Sequence, residues 1–181
     1  MRLFHASEEG NIEIFKPRIP VREDMDKSAG LVWAIDESRL PNFLTPRDCP
    51  RVTYHRGPAT SVQDIDRYFT SNNVRHVVII ESAWFEVMKN TVLYLYEFDV
   101  KDFELQDEIA GYYVAKSCQI PIKKYRIENL FHALFTRNVE LRVVNNLWDV
   151  AEKIKLTSLN WSICRMKNAQ PREGRPCFPS S

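Results

Sequence analysis

The sequence predicts a single α+β domain with a twisted, mainly antiparallel sheet, continuous or split, of about six to eight strands and three or four flanking helices. The chain has 181 residues, which is the length of one ordinary domain. Its composition, 44% hydrophobic and 27% charged, is that of a globular protein. Strand-like and helix-like segments are interspersed without the regular rhythm or the glycine-rich turn of a dinucleotide-binding fold, which favours the mixed class.

Eight segments are rich in the β-branched and aromatic residues that strands prefer. Two of them, 77–80 and 92–96, are apolar almost without alternation, as strands covered on both faces are, and we expect both to be central. The eight predicted strands are 2–5, 31–35, 51–54, 76–80, 91–98, 112–115, 140–144 and 159–165.

Four segments carry helical signals. The apolar residues of 127–135 and of 147–154 recur at the spacing of an amphipathic helix. A shorter helix is predicted over 61–69, because Ser61 is a suitable N-cap with an acidic residue three positions later. The fourth predicted helix covers 82–88.

Two stretches that contain prolines are predicted to be irregular. Residues 16–30 have the character of a mobile loop, and residues 168–181 that of a proline-rich tail without fixed structure. The globular domain is therefore expected to span residues 1–167.

Charge and cysteine spacing exclude several kinds of partner. The formal net charge is only +1, whereas proteins that bind nucleic acid generally have a clear basic excess. The four cysteines lie far apart without metal-binding spacing, so we expect free thiols and no metal site. A signal peptide and an apolar run of about 18 residues are both lacking, so we expect no membrane partner and a cytoplasmic location. The sequence is compatible with a homo-oligomer.

Candidate ligand-binding residues begin at the end of the first strand. His5 and the nearby Ser7 offer an imidazole and a hydroxyl that can bond to ribose or phosphate oxygens. The alternative for His5 is a structural role, with the ring bonded to a backbone carbonyl.

A second candidate group lies between two prolines in the segment 46–51. Arg47 and Arg51 could form a fork for an anion, or an arginine could pair with Asp48 and stiffen the turn. Cys49 has no recognisable histidine partner in the sequence, so a nucleophilic role is disfavoured. We expect this segment to lie beside the first strand.

Two adjacent tyrosines, Tyr112 and Tyr113, stand at the start of a predicted strand. Because successive strand residues point to opposite faces, at most one of them can line a pocket. The segment after the last strand, from Arg165, is polar. This polarity suits a binding segment, but a strand that leads out of the folded domain would have the same composition.

Seven sequence blocks together resemble a bacterial family defined by a domain of unknown function, over residues 1 to about 170. The blocks are 4–9, 17–18, 31–37, 46–52, 110–114, 140–144 and 165–170.

The order of features is also similar to that of the ADP-ribosyltransferase-like fold. A first strand ends in His5, a segment from Ile12 to Phe15 follows, and a strand around Trp33 precedes a helix. This resemblance implies NAD as ligand, with His5 on the adenosine ribose and an aromatic residue on the nicotinamide. It also implies a late catalytic glutamate, for which Glu108 and Glu140 are the candidates.

Two hypotheses follow for the function. The first is a protein that resembles ADP-ribosyltransferases and binds NAD or a related nucleotide, with transfer of ADP-ribose or hydrolysis as its reaction. The second is a non-catalytic binding or protein-interaction module that lacks the glutamate. In the first, the ligand-binding residues are His5, Ser7, Trp33, Arg47, Arg51 and Tyr113.

Overall fold

A computed structural model describes residues 1–20 and 27–172, and within them the chain forms ten strands and four α-helices. Three short 3-10 helices, Glu37–Phe43, Ser82–Trp84 and Met166–Asn168, lie between them. The strands are β1 (Leu3–Ser7), β2 (Val32–Asp36), β3 (Arg51–His55), β4 (His76–Glu81), β5 (Leu93–Phe98), β6 (Glu104–Asp107), β7 (Tyr112–Ala115), β8 (Lys123–Ile127), β9 (Val139–Val144) and β10 (Asn160–Cys164). The helices are α1 (Val62–Tyr68), α2 (Phe85–Asn90), α3 (Leu130–Phe135) and α4 (Trp148–Lys155).

The strands form two sheets. The larger has the order β6-β7-β2-β1-β5-β8 and is antiparallel throughout. The smaller has the order β10-β3-β4-β9, in which only β4 and β9 are parallel. The chain crosses between the sheets after β2, β4 and β8. The predicted α+β class with mainly antiparallel strands is confirmed.

Alternation along the strands builds three apolar clusters. The first cluster joins the two sheets, with Phe4 and Ile35 from the larger and Val78 and Ile80 from the smaller. The residues between these, such as Val77, point to the opposite face, where α4 covers the smaller sheet. The other face of the larger sheet carries the third cluster. The interior strands are therefore covered on both faces, as their apolar runs predict.

All eight predicted strands are present, and the two that the sequence pattern missed are edge strands. All four residues of β6 are exposed, and Lys123, Lys124 and Arg126 in β8 are exposed as well. β6 has no buried residue, and β8 packs only Tyr125 and Ile127 against the first cluster, so neither has the apolar run of an interior strand. Residue periodicity also gave no signal for the 3-10 helix after β2, which contains Pro41, although the resemblance placed a helix after the strand around Trp33.

The two stretches predicted to be irregular lie partly outside the described residues. In the described part, Arg18 and Leu31 exchange two backbone hydrogen bonds of 2.9 and 3.1 Å. The backbone N–H of Gln170 donates to the buried carboxylate of Glu81 at 2.9 Å, and Trp148 Nε1 donates to the Gln170 carbonyl at 2.9 Å. The chain is thus held against the smaller sheet beyond residue 167. None of the described helices is both long and apolar enough to cross a membrane.

Two buried histidines face each other across β3 and β4. The rings of His55 and His76 stack with centroids 5.3 Å apart, and His76 Nε2 lies 2.7 Å from Asn42 Oδ1. Burial lowers the pKa of His55 to about 4, and the charge of Arg39 acts in the same direction. Burial, with smaller effects of His55 and Arg39, lowers the pKa of His76 to about 3. Both rings are therefore neutral in the folded protein at pH 7.

We predict that the protein loses stability as the pH falls from about 6.5 toward 4. In this range an unfolded histidine takes up a proton, whereas His55 and His76 in the folded chain do not, so protons favour unfolding. Each histidine should account for about 2 kcal/mol between pH 7.5 and 5. Urea unfolding at the two pH values measures this.

The variant His76→Gln keeps a donor near Asn42 and cannot titrate, so its loss of unfolding free energy between the two pH values should be smaller by about 2 kcal/mol. An equal loss in the variant and the parent protein would contradict the assignment of His76.

Candidate functional site

The larger sheet is split between β1 and β2. These strands pair only at Leu3 with Asp36 and at Phe4 with Ile35. Beyond this point, β1 continues along β5 to Ser7, and β2 pairs with β7. The end of one strand and the start of the other therefore separate, and backbone groups that would form a ladder become available to other partners.

A cleft of about 560 Å³ lies at this split. Five of the six ligand-binding residues predicted from the sequence line it, and Tyr113 does not. The five are His5, Ser7, Trp33, Arg47 and Arg51. Small-molecule sites in proteins commonly have volumes of this size.

The His5 ring bridges the split. Its Nδ1 lies 2.9 Å from the carbonyl oxygen of Trp33, and because a carbonyl only accepts, Nδ1 carries the proton. Burial lowers the pKa of His5, the bond to the carbonyl opposes this, and the charges of Arg47 and Arg18 lower the pKa further. The ring is therefore neutral at pH 7. Its second nitrogen, Nε2, is left as a hydrogen-bond acceptor.

Aromatic side chains form another part of the cleft wall. Trp33 and Phe43 both pack edge to face against Tyr112, with centroid distances of 5.4 and 5.8 Å. Tyr113 points to the other face of β7 and packs with the third apolar cluster. Tyr112 therefore lines the cleft, whereas Tyr113 was the residue predicted to do so. The alternation of strand residues predicts that only one of two adjacent tyrosines lines the cleft, but it does not predict which one.

The segment 46–51 lies beside the end of β1, since the Arg47 backbone N–H donates to Glu8 Oε1 at 2.8 Å. Arg51 does not pair with Asp48. Its guanidinium donates to two backbone carbonyls, that of Asn42 at 2.6 Å and that of Cys49 at 3.1 Å. Asn42 and Cys49 belong to the connection that runs from β2 to β3, so these two bonds hold that connection in a closed conformation around the Arg51 side chain.

Two other groups of this segment have structural surroundings. Asp48 lies 3.9 Å from Arg165, and both are largely exposed. Cys49 is buried, its thiol donates to the Pro50 carbonyl, and burial raises its pKa to about 12. A thiol in that environment stays protonated at pH 7 and is a poor nucleophile.

Neither glutamate proposed for catalysis lines the cleft. Glu108 lies in the exposed turn between β6 and β7. Glu140 belongs to β9 in the other sheet, where it accepts hydrogen bonds from Thr70 Oγ1 at 2.7 Å and Arg142 Nε at 2.6 Å. Three other carboxylates line the cleft: Glu8 and Glu9 follow directly after the first strand, and Glu13 comes four residues later.

Sequence reasoning missed these glutamates and also Thr45 and Phe43 of the cleft wall. The position of Glu8 next to His5 and Ser7 was a usable signal, whereas nothing in the sequence shows that the connection after β2 folds back over the cleft. Within the described residues, no group of three or more histidine, cysteine, aspartate or glutamate side chains could hold a metal ion.

The fold and the cleft define an α+β protein whose larger sheet is split around a polar and aromatic site. The model of the DUF6886 family, a family of unknown function, matches residues 4–169. The chain belongs to this family, which confirms the membership predicted from the sequence blocks. No curated protein and no solved structure matches the chain.

We predict that Arg51→Ala lowers the free energy of unfolding by about 2–4 kcal/mol, because two buried carbonyl groups lose their donor. The matched control is Arg47→Ala. That side chain is exposed, so its removal should change stability by less than about 0.5 kcal/mol. Urea unfolding of both variants measures the difference, and equal effects would contradict the structural role of Arg51.

Proposed function

We propose that the cleft binds NAD or a related nucleotide. The observation that carries the proposal is the bond from His5 Nδ1 to the Trp33 carbonyl, because it fixes the neutral ring with Nε2 as an acceptor. A ribose hydroxyl is a donor that suits this nitrogen. The ring also packs against Phe15, with centroids 4.9 Å apart, so its orientation is fixed before a ligand arrives.

The other walls of the cleft support a nucleotide as ligand. The edges and faces of Trp33, Phe43 and Tyr112 offer stacking surface for a base. Arg18 and Arg47 both line the cleft and act electrostatically on His5, so they can stabilise phosphate groups next to a ribose held there. The cleft, with a volume of about 560 Å³, therefore has side chains that suit a base, a sugar and a phosphate group.

We propose nucleotide binding only, and we do not assign ADP-ribosyl transfer to Glu108 or Glu140. Glu140 bonds to Thr70 and Arg142 in the other sheet, and Glu108 lies in an exposed turn, so neither can touch a ligand in the cleft. This combines the nucleotide ligand of the first hypothesis with the non-catalytic character of the second.

We predict that His5→Asn weakens binding of NAD about tenfold while the fold is retained. An asparagine Nδ2 can replace His5 Nδ1 as the donor to the Trp33 carbonyl, but it offers nothing in the place of Nε2. Calorimetric titration with NAD and with ADP-ribose, together with the thermal midpoint of each protein, measures both effects.

The control is Trp161→Phe, a change at a half-exposed residue of β10 that does not line the cleft, and it should leave binding unaltered. No heat from the parent protein at millimolar NAD and ADP-ribose would remove the proposal. If His5→Asn bound NAD as tightly as the parent protein, His5 would not be a ligand-binding residue.

A further inference from the structure

A buried hydroxyl without a partner lies in the wall of the cleft. Thr45 is 3% exposed and lines the cleft, yet its Oγ1 has no hydrogen-bond partner among the described residues. Buried polar atoms are almost always paired, since an unpaired one costs the free energy of its lost hydration. Valine has nearly the same shape without this cost. The hydroxyl therefore suggests a partner that arrives with a ligand.

A buried cation lines the same cleft. Arg51 is 6% exposed, lines the cleft, and lies over the Phe43 ring at 5.4 Å. Its bonds to the carbonyls of Asn42 and Cys49 tie the guanidinium to both ends of the segment 42–49, and Thr45 belongs to that segment. The hydroxyl and the guanidinium are thus held by one short closed segment.

The charge of Arg51 is not neutralised by a carboxylate within salt-bridge distance in the described residues. The two carbonyls take part of its donor capacity but supply no negative charge. Burial of an unpaired charge is costly, so an anion at this wall would gain a strong interaction. Arg165, which also lines the cleft, carries a second positive charge, with the Asp48 carboxylate 3.9 Å from it.

The geometry points to a phosphate subsite in the cleft that takes its donors from Thr45 Oγ1 and the Arg51 guanidinium. A phosphate group offers oxygens to a hydroxyl donor and to the guanidinium at once. This inference rests on the proposed function and names what the ligand must carry there, a phosphate or pyrophosphate group. Nucleosides without phosphate should bind much more weakly than their phosphorylated forms.

The test uses the full chain and the variant Thr45→Val, titrated calorimetrically with inorganic pyrophosphate, ADP-ribose and adenosine. Because Oγ1 has no partner in the described residues, the variant should keep or raise the thermal midpoint. It should bind pyrophosphate and ADP-ribose about tenfold more weakly, the factor of one hydrogen bond to a charged group. Thr45→Ser retains the hydroxyl and should retain affinity.

Thr53→Val is the matched control. Thr53 is also buried, but its hydroxyl donates to the Ser162 carbonyl at 3.3 Å and lies outside the cleft. This variant should lower the thermal midpoint and leave affinity unchanged, the reverse of Thr45→Val. If Thr45→Val failed to fold, Thr45→Ala, which also removes the hydroxyl, would carry the same comparison.

The subsite is overturned if the parent protein does not bind pyrophosphate at millimolar concentration, or if Thr45→Val binds it as tightly as the parent. The failure of the proposed function is a different result. In that case pyrophosphate binds and depends on Thr45, while NAD, ADP-ribose and adenosine bind no better than pyrophosphate.

Discussion

The parting of β1 and β2 is the constraint on which the site depends. The two strands share only two residue pairs, and after these each is held by its other neighbour. A sheet interrupted in this way must satisfy backbone groups by other means. The His5 side chain does so for the Trp33 carbonyl. This bond thereby also fixes the tautomer of His5, with the proton on Nδ1 and Nε2 as an acceptor.

The connection from β2 to β3 ties this site to the rest of the fold. It leaves the larger sheet through the 3-10 helix Glu37–Phe43, contributes Leu40 and Leu44 to the cluster that joins both sheets, and closes around the Arg51 guanidinium. Arg51 is itself the first residue of the smaller sheet. The cleft wall is therefore anchored in the packing between the sheets, which favours a preformed site.

The interior strands were readable from the sequence, as were the edge strands β9 and β10, whereas the edge strands β6 and β8 were not. Apolar runs such as 77–80 marked strands that are buried on both faces, and the cap at Ser61 marked the start of α1, where its hydroxyl accepts from the Asp64 N–H. Neither β6 nor β8 has such an apolar run. Of the residues that line the cleft, His5 and Arg47 were recognisable as polar residues, His5 in the first strand and Arg47 between two prolines. The unpaired, buried hydroxyl of Thr45 was not recognisable, because it arises from tertiary packing that no local pattern encodes.

A crystal structure of the protein with bound ADP-ribose tests most directly whether the split sheet forms a nucleotide site. We expect the ligand in the cleft, with a ribose hydroxyl within hydrogen-bond distance of His5 Nε2 and a phosphate oxygen within reach of Thr45 Oγ1 and Arg51. A ligand bound on another surface, with the cleft unchanged and His5 without contact to it, would contradict the assignment.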